Sequence, residues 1–167
     1  MDWEEDDDQV SGADRIVSGH GTPQRHDGTT TLRHSYGARA RSPLDAETET
    51  LVTAIMDCAF TVHRTLGPGF RERIYSRAFC LELDWRHLSF ESEKPIEVRY
   101  RRWSIPGQKI DLIVGGKVLV ELKTVPRLQP IHRAQVVSYL KTLDLRIGLL
   151  VNFNAGVLKD GFKRVIL

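Results

Sequence analysis

The chain has 167 residues, with 24 Lys plus Arg against 22 Asp plus Glu, for a formal net charge of +2. A hydrophobic share of 41% is enough for the core of one ordinary domain. No run of about 18 apolar residues exists to span a membrane, and two cysteines, Cys58 and Cys80, are too few for a disulfide framework or a four-thiolate zinc site.

Charge is unevenly spread. Residues 1–44 hold 8 acids and 5 arginines, a net −3, whereas residues 45–167 hold 19 basic residues and 14 acids, a net +5. The first segment is rich in Gly, Ser, Thr and Arg and lacks apolar periodicity, so we expect a disordered N-terminal tail over 1–44. A start placed too far upstream would give the same composition. Residues 1–8 are acidic where a targeting peptide would be basic and apolar, and the expected setting is a reducing cytoplasm.

Ser42-Pro43-Leu44-Asp45 reads as a helix start, with Ser as cap and Pro in the first turn. Leu51, Ile55, Ala59, Val62 and Leu66 then recur at helical spacing, and Gly67-Pro68-Gly69 ends the helix. A second helix is expected over about 70–84, with Ile74, Ala78 and Leu81 toward the core. Strand patterns follow: a short candidate at 89–91, an alternating run at 96–100, then 109–114 and 118–123 around Gly115-Gly116. Pro126 and Pro130 bracket a loop before a third helix at about 131–143. An apolar run at 147–153 suits a strand covered on both faces, and 162–166 is a last short strand. With the short candidate counted, the order is α-α-β-β-β-β-α-β-β, an α/β (α+β) fold around one mixed sheet flanked by helices.

Three charges, Asp111, Glu121 and Lys123, sit in the otherwise apolar hairpin strands, where burial is costly without a partner or a metal. Pairing Val114 with Val118, and Leu112 with Val120, makes one face wholly apolar. This register predicts a three-residue loop at 115–117 and sets Asp111 opposite Glu121, with Lys123 two residues on. Two facing carboxylates suit a divalent cation, and a nearby lysine suits a phosphate or an attacking water. A solvated cross-strand ion pair explains the spacing equally well.

Asp111 followed by Glu121-Leu122-Lys123 resembles the D…(D/E)-x-K core of the PD-(D/E)XK nuclease superfamily. Gly69-Phe70-Arg71-Glu72-Arg73-Ile74-Tyr75 is similar to the G-x-x-E-x-x-Y signature of the bacterial GxxExxY proteins, a group of that superfamily. The preceding Val62-His63-Arg64, the later stretch from Gln135 to Tyr139, and Leu149 to Asn154 also resemble that group, in the same order. The resemblance covers about 48–167 and implies a restriction-endonuclease-like core over 45–167. It implies Glu72, Asp111, Glu121 and Lys123 as catalytic residues. It also implies Mg²⁺ or Mn²⁺ held by Glu72, Asp111, Glu121 and the carbonyl of Leu122. Gln135 and Tyr139 match the Q-x-x-x-Y helix motif that positions substrate in RecB-like nucleases. Gln108-Lys109 departs from the Gly-Arg pair common in the family.

Each residue also has a plainer reading. Glu72 suits the first turn of a helix by its charge. Gln135 and Tyr139 share a helix face with His132, which is expected as a solvated surface residue. His63 suits the end of its helix, and Cys58 and Cys80 are expected as buried thiols. Arg99, Arg101, Arg102 and Trp103 make a basic, aromatic patch that suits either a phosphate backbone or a solvated strand edge.

The implied activity is metal-dependent hydrolysis of phosphodiester bonds in DNA or RNA by metal-activated water. The alternatives are a non-catalytic nucleic-acid-binding or regulatory module on the same fold, and a protein-interaction domain with surface ion pairs. Nucleic acid is the expected partner and a membrane is not; a homodimer or protein partner is left open.

Overall fold

The computed structural model describes residues 44–167. Residues 1–43 of the expected tail, Ser42 and Pro43 among them, lie outside the described residues, whereas Leu44 packs against the core. The first helix, α1 (Ala46–Leu66), is capped by Asp45 and not by Ser42. The Asp45 carboxylate accepts the Thr48 N–H at 2.8 Å and the Thr48 hydroxyl at 2.8 Å, satisfying a donor that the helix leaves free at its start. Gly67, at φ 67°, closes α1 as its backbone N–H bonds the His63 carbonyl. Such a φ costs a glycine little and other residues more.

The second helix, α2 (Glu72–Trp85), corrects the expected phase. Its buried residues are Tyr75, Phe79 and Leu83, whereas Ile74 and Leu81 are exposed. Tyr75 decides the rotation. Its ring stacks on Phe153 at 4.8 Å between centroids. Its hydroxyl donates to the Gly67 carbonyl at 2.6 Å and accepts the Phe70 N–H at 3.1 Å. Two aromatic rings with a satisfied hydroxyl bury more apolar area than the aliphatic stripe one position away.

The strands are β1 (Phe90–Tyr100), β2 (Trp103–Val114), β3 (Val118–Lys123), β4 (Ile147–Asn152) and β5 (Phe162–Ile166), with α3 (Pro130–Leu143) between β3 and β4. The candidate at 89–91 and the run at 96–100 are thus one long strand. Its middle, Glu91 to Pro95, lacks an apolar pattern because β1 is an edge strand, where Pro and charge are tolerated. The sheet order is β1-β2-β3-β4-β5, antiparallel except for the parallel β3–β4 pair. The α3 crossover makes that parallel pair possible.

The expected hairpin register holds: Val114 pairs with Val118, and Leu112 with Val120. The loop is Gly115-Gly116-Lys117, with both glycines at positive φ. A Cβ on Gly115 would lie 2.7 Å from Leu51 Cδ2, so both space and backbone demand glycine there.

Helices cover both faces. Leu112, Val114, Val118, Val120 and Leu122 pack under α1 and α2, while Ile113, Leu119 and Leu150 pack under Val136, Tyr139 and Leu140 of α3. β4 is buried along its whole length, as its apolar run requires. No helix among the described residues is long and apolar enough to cross a membrane.

Candidate active site

The two faces of the sheet place the charges. Val118, Val120 and Leu122 point toward α1 and α2, so Leu119, Glu121 and Lys123 turn toward α3. Asp111 comes from a break in β2. Ile110 and Ile113 both pack in the α3 cluster although they are an odd three positions apart, so the alternation is interrupted between them. Glu93 and Asp111 lie between the Ser92–Leu112 and Lys94–Ile110 pairs without being paired themselves, and Glu93 has φ 49°. The β2–β3 ladder ends at Leu112–Val120. Beyond it the Asp111 carboxylate takes over, accepting the Leu122 N–H at 2.7 Å through Oδ2. Such an interruption re-aims a side chain, here away from the ladder and into the site.

Glu121 is buried, with 3% of its surface exposed. Its Oε1 accepts from Lys123 Nζ at 2.6 Å. Its Oε2 is buried with no hydrogen-bond partner. Burial, and then the neighbouring Asp111 charge, push the Glu121 carboxyl up to about 7, and the contact with Lys123 only partly offsets this. Burial also raises Asp111, against the pull of the Leu122 N–H and Lys123. Burial pulls Lys123 down, but the hydrogen bond to Glu121 and the charges of Glu121, Asp111 and Glu72 leave it above its ordinary value.

Glu72 is the first residue of α2. Burial raises its carboxyl, Lys123 lowers it, Asp111 raises it, and a backbone hydrogen bond from Thr124 lowers it. It therefore shares an electrostatic neighbourhood with the hairpin charges from the opposite layer. A cleft of about 670 Å³ is lined by Glu72, Arg73, Arg77, Glu93, Asp111 and Leu122. The cleft brings the helix-borne acid, the strand-borne acid and the Leu122 position onto one surface.

From α3, Tyr139 is largely buried, and its hydroxyl accepts from Gln135 Nε2 at 2.7 Å and from Gln108 Nε2 at 2.7 Å. Burial raises its hydroxyl pKa, which the Gln135 hydrogen bond counters and the charges of Glu121, Lys123 and Asp111 also influence, so the phenol stands beside the acidic cluster. Gln108, noted in the sequence only as a departure, thus ties β2 to α3. Asn152 makes a second structural contact. Asn152, 2% exposed at the end of β4, accepts the Val125 N–H at 3.1 Å and donates to the Val125 carbonyl at 2.8 Å. It anchors the chain just past Lys123. The signal in the sequence was an amide closing an apolar run.

Other candidates fall elsewhere. His63 is buried and donates from Nε2 to the Ala155 carbonyl at 2.7 Å, joining α1 to the loop after β4. His132, expected to be solvated, caps α3 instead, its Nδ1 accepting the Gln129 N–H at 3.0 Å. Cys58 is buried, and burial pushes its thiol up to about 11; Cys80 is half-buried on the cleft wall, which corrects the expectation for it.

A family model described as the PD-(D/E)XK nuclease superfamily matches residues 49–165. The chain belongs to the PD-(D/E)XK nuclease superfamily. No curated protein and no solved structure gave a match. The three helices and five-stranded mixed sheet are those of the α+β restriction-endonuclease-like fold, and the match covers all of it but the first turn of α1 and the last residue of β5.

Nucleases of this superfamily generally use a divalent metal. The donor set fits such an ion: the half-buried Asp111 carboxyl and the buried Glu121 carboxyl repel, and Glu121 Oε2 is desolvated without a partner. An oxygen in that state lacks the interaction that offsets its burial, which a cation would supply. Among the described residues, no three Asp, Glu, His or Cys side chains converge closely enough to ligate one ion as they stand. Asp111 and Glu121 feel each other's charge, and Glu72 and Asp111 line the same cleft.

Proposed function

We propose that this chain is a GxxExxY-type nuclease that hydrolyses phosphodiester bonds in DNA or RNA with Mg²⁺ or Mn²⁺. The observation that carries the reading is Glu121: a buried carboxylate with one oxygen on Lys123 and the other without a partner. A strand interior gains nothing from such a group unless a ligand completes it.

On this reading the catalytic unit is residues 45–167. Asp111 and Glu121 hold the cation, with the Leu122 carbonyl and Glu72 as further donors. Bound there, the cation supplies charge neutralisation at the scissile phosphate and lowers the pKa of water. Lys123 favours the ionised form of Glu121 through its 2.6 Å contact and offers its ammonium to the water or to a phosphate oxygen. Asp111, which lines the cleft, is held through Oδ2 by the Leu122 N–H. The Tyr139 hydroxyl already accepts from Gln108 and Gln135, so its own proton is free to donate to a substrate oxygen.

One observation favours the competing reading of a non-catalytic nucleic-acid-binding module: among the described residues, no three Asp, Glu, His or Cys side chains are preformed as an ion site. Cleavage separates the two. Single- and double-stranded DNA and RNA are incubated with Mg²⁺ or Mn²⁺ and with wild type, Lys123→Ala or Asp111→Ala. Wild type is expected to cut, with both variants slower by about 10²–10³. Equal rates in all three would overturn the proposal.

A further inference from the structure

The β1–β2 hairpin is longer than the sheet needs. Its strands have 11 and 12 residues, while β2 pairs with β3 only over Leu112 to Val114. The outer part is a two-stranded ribbon ending in the Tyr100–Trp103 pair. Val98 pairs with Ile105 two steps inward. Opposed residues share a face, as do residues two apart in a strand, so Val98, Tyr100, Trp103 and Ile105 lie on one side. All four are exposed, at 42%, 58%, 59% and 50%. Neighbouring exposed apolar side chains on a ribbon that is marginal by itself call for a partner.

The charges specify which partner. The turn is Arg101-Arg102, with Arg101 at φ 54°. Arg101 Cζ lies 5.7 Å from the Tyr100 ring centroid, and Arg102 Cζ lies 4.8 Å from that of Trp103. Arg99, opposite Ser104, adds a third guanidinium. None of the three forms an ion pair among the described residues. The nearby acid, Glu97, is engaged by the Ser104 hydroxyl. The tip therefore offers two flat rings and three cations outside any ion pair, against the single acid Glu97. Duplex DNA hides its base faces. A second copy packed isologously would bring arginines against arginines. A single strand presents both bare bases and phosphates, and base–aromatic stacking with cationic tracking of the backbone is how such strands are held.

We propose that the β1–β2 hairpin tip is a docking arm for single-stranded nucleic acid. Bases stack on Tyr100 and Trp103, and Arg99, Arg101 and Arg102 take the phosphates. This deepens the nuclease reading, and rests on it for the role of the bound strand as substrate. The arm lies on the half of β2 beyond Gln108, so the strand it holds runs along the same ribbon that carries Asp111.

The test is fluorescence anisotropy of the full chain in EDTA, with labelled oligothymidylate, oligouridylate and a mixed-sequence duplex. Wild type is expected to prefer the single strands. Tyr100→Ala and Trp103→Ala are each expected to weaken single-strand binding about tenfold, and Trp103→Phe to retain most of it. Arg101→Ala with Arg102→Ala is expected to flatten the salt dependence. Far-UV circular dichroism confirms that each exposed variant folds. Single-strand affinity unchanged in Trp103→Ala overturns the arm, as does preference for the duplex. So does a dimer that Trp103→Ala dissolves while single-strand affinity stays the same. Calorimetric Mn²⁺ titration of the same proteins separates the two readings. Absent Mn²⁺ binding with a Trp103-dependent affinity defeats the nuclease reading and leaves the arm standing. Intact Mn²⁺ binding and cleavage with no Trp103 effect defeats the arm alone.

Discussion

Two Lys–Glu pairs in this molecule have the same chemistry and different surroundings. Lys94 and Glu91, on the edge strand β1, meet at 3.0 Å with both side chains well exposed. Lys123 and Glu121, on the central strand β3, meet at 2.6 Å with 15% and 4% of their side chains exposed. Water screens the first pair and also satisfies its spare oxygens and protons, so its net worth is small. The second pair has lost its hydration, and one of its carboxylate oxygens has gained nothing in return. Solvation, more than the pairing itself, separates a surface decoration from a site.

The largest difference is expected on removing the lysine. Lys123→Met leaves Glu121 buried without its cation, and should cost ~3–5 kcal/mol in denaturant melts near pH 8. The loss should shrink near pH 5, where Glu121 can take a proton. Equal losses at both pH values would mean that the pair is better hydrated than its burial indicates.

The pH dependence of the wild type sharpens the same point. The Glu121 carboxyl moves from an ordinary 4.5 to about 7 in the fold. Between those values the folded chain holds a proton that the unfolded chain has released. Stability of the metal-free protein should therefore fall as pH rises through this window. The raised Asp111 and Glu72 act in the same direction. Glu121→Gln should flatten the fall, and so should added Mn²⁺, by stabilising the ionised carboxylate. Denaturant melts across the window read the slope; a steeper fall in Glu121→Gln would contradict the assignment.

Asn152 tests whether the buried pair depends on its strand end. Asn152→Ala removes the bonds to both polar groups of Val125 and should cost ~2–3 kcal/mol. At the small end, Lys94→Ala should change stability by less than about 0.5 kcal/mol. A large loss there would break the contrast between the two pairs.

How far the sequence carried depended on the range of the forces involved. The hairpin register was legible because Val114, Val118, Leu112 and Val120 can share an apolar face in only one way. The three-residue loop followed from the same pattern. The strand through Glu91 to Pro95 was not legible, since an edge strand needs no alternation and its pairing partner lies in β2. The phase of α2 was missed because Tyr75 takes its rotation from Phe153, far along the chain. Asp111, Glu121 and Lys123 announced themselves as charges in apolar strands. Glu72, Gln135 and Tyr139 came from family resemblance alone, and Gln108 acquired a role only when the fold set it against Tyr139.

The central claim is that the buried Glu121 carboxylate, with Asp111, is completed by a divalent cation. Isothermal titration of the full chain with Mn²⁺ near pH 8 measures this directly, with Glu121→Gln and Asp111→Asn as controls. The account expects saturable binding in wild type, at about one ion per chain, and its loss in both variants. Wild type that takes up no Mn²⁺, or variants that bind it as wild type does, would contradict it.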